Sequence, residues 1–407
     1  MMRIRVAPES FVFTVMLGLL AALPPLSIDI NAPTLLAVQR EFGQSPELAG
    51  LSITLFMVGF ATGQFGAGPL SDRSGRRPLL LCGLSAYIVS AAGCALAGSL
   101  AALLAWRLLQ GIAAGSCTVM AFAIIRDLFD GDAGRVKRSY VIVVFSLAPL
   151  LAPSLGAAVL AWAGWRPVYW VLCVAGTVLL ISVSLCVPES LRPGTTAPTN
   201  IRRAYKSVLG DRRFLGVAVV NALSYGGLFA YIAGSPQVVM GSLGLSARTY
   251  GLMFACTAAA LTSGAWVSGW CARRGVGPRP LLWVGLATAA ATAVGLAALL
   301  MSPGPPEALL MVVLVINVFS RGLVSPNAQH VALEPLRDQA GTAAASLGVM
   351  QILTGAASSA LVFALLPWLK APAMAFVMAA LAVASLTIWV WITQPSRVEG
   401  FVVQDAD

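Results

Sequence analysis

Charge is scarce in this chain. Only 10% of its 407 residues are Asp, Glu, Lys or Arg, against about 25% in an ordinary soluble domain. Apolar residues make up 58% and mean hydropathy is +0.85, so lipid must serve as solvent for much of the chain. Histidine occurs once, and none of the seven cysteines sits in a CxxC pair. No structural metal site can be built from that set, and the cysteines read as small core residues. There is no phosphate-binding GxxxxGK[ST] loop, no HExxH and no GxSxG elbow. ATP hydrolysis and the common hydrolase chemistries are therefore not encoded, and a protein that is not an enzyme and needs no cofactor is expected. Lys and Arg outnumber Asp and Glu by 26 to 16. In a soluble protein that excess could mark a nucleic-acid surface. Here its placement between apolar runs points to membrane topology, and no nucleic-acid partner is expected.

What is abundant is long apolar runs. A membrane span needs about 20 apolar residues. Twelve stretches qualify: 10–31, 47–70, 78–98, 101–125, 139–162, 166–187, 214–238, 249–271, 280–301, 307–329, 341–367 and 371–393. The opening Arg3-Ile4-Arg5 and its apolar run resemble a signal peptide, but eleven further spans follow, so this is read as the first span. With the N-terminus inside, twenty basic residues fall on the inner side and four, Arg40, Arg166, Arg248 and Lys370, on the outer. The positive-inside rule then places both termini in the cytoplasm. Residues 188–213 read as a cytoplasmic linker with an amphipathic, membrane-surface piece near 201–209. It separates an N-terminal bundle, 1–187, from a C-terminal bundle, 214–407. Arg77-Pro78-Leu79-Leu80 enters the third span as Arg279-Pro280-Leu281-Leu282 enters the ninth, which suggests a duplicated unit. The expected fold is an all-α membrane protein with twelve transmembrane helices in two pseudo-symmetric six-helix bundles.

Several residues do not belong in lipid without a reason. Of sixteen acids, Asp29 alone lies well within a span. A carboxylate there is costly unless paired or protonated and marks a functional site by default, although an Asp near the outer end of its helix can also reach interfacial water. Arg107, in the outer third of the fourth span, is its best candidate partner. Arg107, Gln110, Gly111, Ala114 and Thr118 form one stripe at three- and four-residue steps, suited either to a water-filled cavity or to close packing. The fifth span carries Pro149, Pro153 and Gly156, and the eleventh Gly348, Gln351 and Gly355. Both are candidate surfaces where the halves meet. The seventh span is expected to break at Tyr231-Ile232-Ala233-Gly234-Ser235-Pro236, and the tenth holds Asn317 and Arg321. Between spans two and three, Gly68-Pro69-Leu70-Ser71-Asp72-Arg73-Ser74-Gly75-Arg76-Arg77-Pro78 reads as a tight basic loop turned by its glycines.

This last stretch, Arg107-Leu108-Leu109-Gln110-Gly111 and Ala148-Pro149-Leu150-Leu151-Ala152-Pro153-Ser154-Leu155-Gly156 together resemble the major facilitator superfamily, and within it the twelve-helix drug:proton antiporters. The fifth-span sequence departs from the common Gly-Pro-x-x-Gly-Gly. Ser27-Ile28-Asp29-Ile30-Asn31-Ala32-Pro33, Phe229 to Pro236 and Gly341 to Gly348 are similar to the bicyclomycin- and chloramphenicol-resistance branch. That branch commonly has Met-Tyr-Leu-Pro after the Asp, where this chain has Ile30-Asn31-Ala32-Pro33. The resemblance implies that Asp29 couples protons or senses substrate and that Arg107 modulates it. It implies a cytoplasmic gate of Gly68, Asp72, Arg73, Gly75, Arg76, Arg126 and Asp127. It also implies a cavity touched by Gln110, Thr118, Pro149, Pro153, Tyr231, Asn317, Arg321 and Gln351. The implied activity is efflux of small lipophilic or polar drug-like compounds in exchange for protons, by a monomer in a bacterial inner membrane in contact with lipid. An exporter of an endogenous metabolite, and less readily an uptake symporter, are the alternatives.

Overall fold

A computed structural model describes residues 7–129, 131–191, 201–302 and 304–393, which are helical almost throughout and include no strand. The helices are α1 (Phe11–Asp29), α2 (Leu35–Phe42), α3 (Pro46–Ser74), α4 (Arg76–Ala95), α5 (Leu100–Leu128), α6 (Gly131–Ala163), α7 (Arg166–Cys186), α8 (Ile201–Gly210), α9 (Arg212–Pro236), α10 (Ala247–Arg273), α11 (Pro278–Met301), α12 (Glu307–Leu333), α13 (Ala340–Leu369) and α14 (Pro372–Thr393). Among the described residues, twelve helical stretches are long and apolar enough to cross a membrane. Their starts follow local chemistry. Ser10 Oγ accepts the Phe13 N–H at 3.2 Å, and Ser99 Oγ accepts the Ala102 N–H at 3.2 Å. Pro46 and Pro278 occupy first-turn positions where a missing N–H costs nothing.

The contacts divide the chain into two compact units, Met1–Thr199 with Ser235–Ala255, and Asn200–Gly234 with Cys256–Asp407. In lipid, apolar burial does not drive helices together, so close packing and polar stitches must do so. The first unit supplies the packing through glycine. A Cβ on Gly59 or Gly63 of α3 would collide with the carbonyls of Leu108 or Ile112, and one on Gly111 or Gly115 of α5 with those of Phe56 or Phe60. The second unit repeats this reciprocal contact with Gly264 of α10 against Phe319 and Gly322 of α12 against Leu261. Its stitches include Ser358 Oγ to the Gly226 carbonyl at 2.7 Å and Ser385 Oγ to the Val220 carbonyl at 3.0 Å. Hydrogen bonds of this kind contribute about 0.6–2 kcal/mol each in a membrane.

Three expectations are corrected. Residues 68–78 do not form a loop. α3 continues through Gly68 to Ser74, and the turn is Gly75 alone, at φ 95°, before α4 begins at Arg76. The seventh span does not break at Gly234-Ser235-Pro236. α9 runs through it to Pro236, and a π-helical turn follows over Gln237–Ser242. Proline displaces the carbonyl four residues back, and widening the turn accommodates the lost bond. The first span ends its α-helix at Asp29, earlier than 31, and continues through a 3-10 turn, Ala32–Thr34, into α2. α8 buries Val208 in a core with Phe214, Leu286, Val324 and Trp389, while Lys206, Ser207, Leu209 and Gly210 are exposed. Part of the linker, 192–200, lies outside the described residues.

Candidate functional site

Three polar constellations hold most of the expected site residues. The first lies where α3 meets α4, in the first unit. Arg76 is buried there at 4% exposure. Its guanidinium pairs with Asp72, one turn back on α3, at 2.7 Å, and with Asp127 at the end of α5 at 3.0 Å, and it also donates to Ser71 Oγ. Arg126 reaches Asp127 only at 3.7 Å and is two-thirds exposed, a geometry worth little. Gly68 accepts the Ser71 hydroxyl through its carbonyl at 2.8 Å, and the exposed Arg73 makes no side-chain bond among the described residues. The sequence reading missed Glu189. Gly75, as N-cap, has no side chain to offer α4, and Glu189 does that work from beyond α7. Its Oε1 accepts the Arg76 N–H at 3.0 Å and its Oε2 the Arg77 N–H at 3.2 Å. Gly75 must be glycine on a second count, because a Cβ would stand 2.6 Å from Glu189 Oε2. Ser190 Oγ adds a bond to Asp127 at 3.3 Å. Burial raises the Glu189 carboxyl, but the N–H groups of Leu191, Arg76, Arg77 and Ser190 outweigh it and hold the group below the usual carboxylate range.

The second constellation is the end of α1. Asp29 is 3% exposed, and no hydrogen bond or ion pair reaches its carboxylate among the described residues. The expected contact with Arg107 is not made. Neutral oxygens take the guanidinium instead: Arg107 donates to the Ser27 carbonyl at 3.2 Å, the Ser52 carbonyl at 3.3 Å and the side-chain Oε1 of Gln110 at 2.8 Å. It lies 4.4 Å from the Phe56 ring centroid. Arg107 is therefore stapled to α1 two residues before Asp29 without neutralising it. Ser27 also holds Asn31 Nδ2 through its carbonyl at 2.9 Å and Tyr87 through its hydroxyl at 2.6 Å. From α6, Gly156 seats against the Ile30 carbonyl so closely that a Cβ would collide with it. Pro153 is buried one turn earlier and Pro149 half-buried. Gln110 and Thr118 are buried, and Thr118 bonds back to the Ala114 carbonyl at 3.1 Å. Together with the contact of Gly111 on Phe56, this makes the α5 stripe a closely packed one.

The third is in the second unit and mirrors the second. Arg321 of α12 is 3% exposed. It donates to Asn317 Oδ1 at 3.1 Å and to the Ser224 carbonyl of α9. Each unit thus holds a buried arginine between a same-helix amide oxygen and a serine carbonyl on the unit's first long helix. Asn317 Nδ2 ties α12 to the Ala289 carbonyl at 3.0 Å. Tyr231 bonds Thr257 at 2.8 Å, and Gln351 is half-buried on α13. The structure gathers Asp72, Gly75, Arg76 and Asp127 at one place, and Asp29, Arg107 and Gln110 about another.

Residues 17–361 match the family model described as Major Facilitator Superfamily. The chain belongs to the Major Facilitator Superfamily. Among its superfamily relatives, an "Uncharacterized MFS-type transporter YdgK" of Bacillus subtilis (strain 168) is 33% identical over 87% of this chain and 89% of that protein. A "Bicyclomycin resistance protein homolog" of Haemophilus influenzae (strain ATCC 51907 / DSM 11121 / KW20 / Rd) is 28% identical over 95% and 97%. A "Multidrug resistance protein MdtL" of Escherichia coli O81 (strain ED1a) is 30% identical over 82% and 83%. The superfamily fold is shared with a crystal structure of a D-xylose-proton symporter, TM-score 0.73 at 18% identity over 93% of this chain and 98% of that one. It is shared too with a bacterial homolog of the human lysosomal transporter Spinster, TM-score 0.74 at 16% identity over 95% and 96%. The protein is a multi-pass membrane transporter of this superfamily.

Proposed function

We propose that the protein exports small drug-like compounds in exchange for protons, by alternating access, as a monomer in a bacterial inner membrane with both termini in the cytoplasm. The observation that carries the reading is Asp29. It is the acid set well inside a span, it is buried without a cation partner, and it stands where α1 breaks beneath Gly156. An unpaired intramembrane carboxylate is costly when charged, so its proton is a natural exchange currency. Relatives named for multidrug and bicyclomycin resistance support drugs as the cargo. In this reading the Asp72–Arg76–Asp127 cluster is a cytoplasmic gate. The partly exposed Asp72 pair contributes about 0–1 kcal/mol and the Asp127 acceptor of buried Arg76 about 1–3 kcal/mol, amounts small enough to be made and broken within a transport cycle.

The test uses inside-out vesicles, acid inside, carrying a pH dye. Chloramphenicol and bicyclomycin are added with Asp29→Asn as control. Drug-dependent alkalinisation that disappears in Asp29→Asn is the expected result. Alkalinisation that survives in the variant refutes the role of Asp29. Correctly folded protein that answers to no drug refutes drug export and leaves a dedicated metabolite exporter.

A further inference from the structure

The short helix α8 gives one side to the protein and shows the other to its surroundings. Val208 is fully buried, in a core that includes Phe214, Ala332, Ala343 and Ile392. Phe214 lies in the first turn of α9 and Ala343 in the first turn of α13, while Ala332 and Ile392 lie in the last turns of α12 and α14. One end of each of four spans is therefore gathered in the core that holds Val208. Spans end where hydrocarbon gives way to lipid headgroups, so α8 stands at headgroup depth. Gln339 helps to hold it there, donating to Ser207 Oγ at 3.4 Å.

The outward side carries uncompensated charge. Lys206 is two residues from Val208, which is about 200° round the helix, and it is exposed. Arg212, the first residue of α9, is exposed as well. Neither has an ion-pair partner among the described residues. By sequence, 201–213 holds five basic residues and a single acid, Asp211. That acid is committed to the start of α9, where its Oδ1 accepts the N–H groups of Arg213 and Phe214 at 2.8 and 2.9 Å. Beside the charges, Leu209 is 44% exposed. An amphipathic helix held on a membrane by hydrophobicity sinks its apolar face into the acyl chains. Here Val208 is taken by the protein core instead, so attraction to the lipid surface falls to the charges. Basic side chains at headgroup depth, close to a span and lacking acids of their own, match anionic lipid.

We propose that the outward side of α8, centred on Lys206 and continued by Arg212, is a docking surface for the headgroups of anionic phospholipids. The test is hydrogen exchange read by mass spectrometry on the full-length protein in two kinds of nanodisc. One is pure dioleoylphosphatidylcholine, and in the other a third of that lipid is replaced by dioleoylphosphatidylglycerol. A bound partner slows exchange by stabilising the closed helix, and each basic side chain near an anionic surface is worth about fivefold. The amides of 201–210 should therefore exchange about tenfold or more slowly in the anionic disc. The difference should collapse in about 1 M salt, which screens beyond about 3 Å. Lys206→Gln with Arg212→Gln changes only exposed side chains and should fold, which unchanged exchange in α5 would report. It should reduce the difference at 201–210 to less than about twofold, whereas Lys206→Arg should keep it. Equal exchange in the two discs overturns the proposal and leaves this side of α8 to water or to an acidic protein. Slowing that survives the double variant or high salt overturns it as well. The measurement uses neither cargo nor proton gradient, so its outcome is independent of the export reading.

Discussion

Removing the Glu189 side chain should loosen the start of α4 and little else. In Glu189→Ala the N–H groups of Arg76 and Arg77 lose their acceptor, and Gly75 has no side chain to replace it. Loss of an N-cap costs about 0.5–2 kcal/mol, and loss of a charge at a helix N-terminus about 0.3–1 kcal/mol. Glu189 is largely exposed and therefore screened, so the lower parts of these ranges apply and the sum is about 1 kcal/mol. That is about a fivefold change in a local opening equilibrium. Hydrogen exchange read by mass spectrometry should show the amides of Arg76 and Arg77 exchanging about fivefold faster. The first turn of α11, which starts without such a cap, should be unchanged. Unaltered exchange at 76–77 would refute the capping argument, and equal acceleration in α11 would show a global effect instead. The pH dependence follows from sign. The folded carboxyl titrates below its ordinary value of about 4.3, so its contribution is complete above that value and is lost as the pH falls through the lowered one. Wild type and variant should differ at neutral pH and converge in acid.

Asp127→Ala leaves buried Arg76 short of an acceptor and should lower stability by about 1–3 kcal/mol, whereas Asp72→Ala, which removes a partly exposed pair across the Gly75 turn, should cost about 0–1 kcal/mol. Thermal unfolding in detergent checks the order, and a larger loss for Asp72 contradicts it. Gly322→Ala drives a methyl into the Leu261 carbonyl and should cost about 1–3 kcal/mol or more. Gly348→Ala, whose added methyl has no neighbour within 4 Å, should be neutral. The yield of folded protein separates the two, and equal yields contradict the packing argument.

The spans were legible because lipid imposes one crude demand, a long apolar run, which the sequence meets twelve times. Asp72 and Arg76 were legible as members of one cluster through the family resemblance, whereas reading 68–78 as a loop gave their spacing no meaning. What joins distant segments was not. Glu189 lies 113 residues from Arg76, and only folding shows that a glycine N-cap borrows its carboxylate. Arg107 was assigned an acid because acids are the obvious partners of a buried guanidinium. Carbonyls at helix ends and bends compete, and here they win. Gly234-Ser235-Pro236 resembled a helix break, yet a chain in lipid keeps its backbone bonds wherever a widened turn allows.

The composition of the first unit sets an order of events during synthesis. Ser154 on α6 donates to the Gly251 carbonyl at 3.0 Å, and Ser235–Ala255 belongs to the same compact unit as residues 1–199. A nascent chain halted at the linker therefore already has Arg76 between its two aspartates and Arg107 on its carbonyls, but lacks a segment that closes the unit. The ribosome must pass residue 255 before the first unit is complete. Two fragments divided at the linker would both have to be present for the first unit to be finished, and co-expression is the condition under which a split form of this transporter should accumulate.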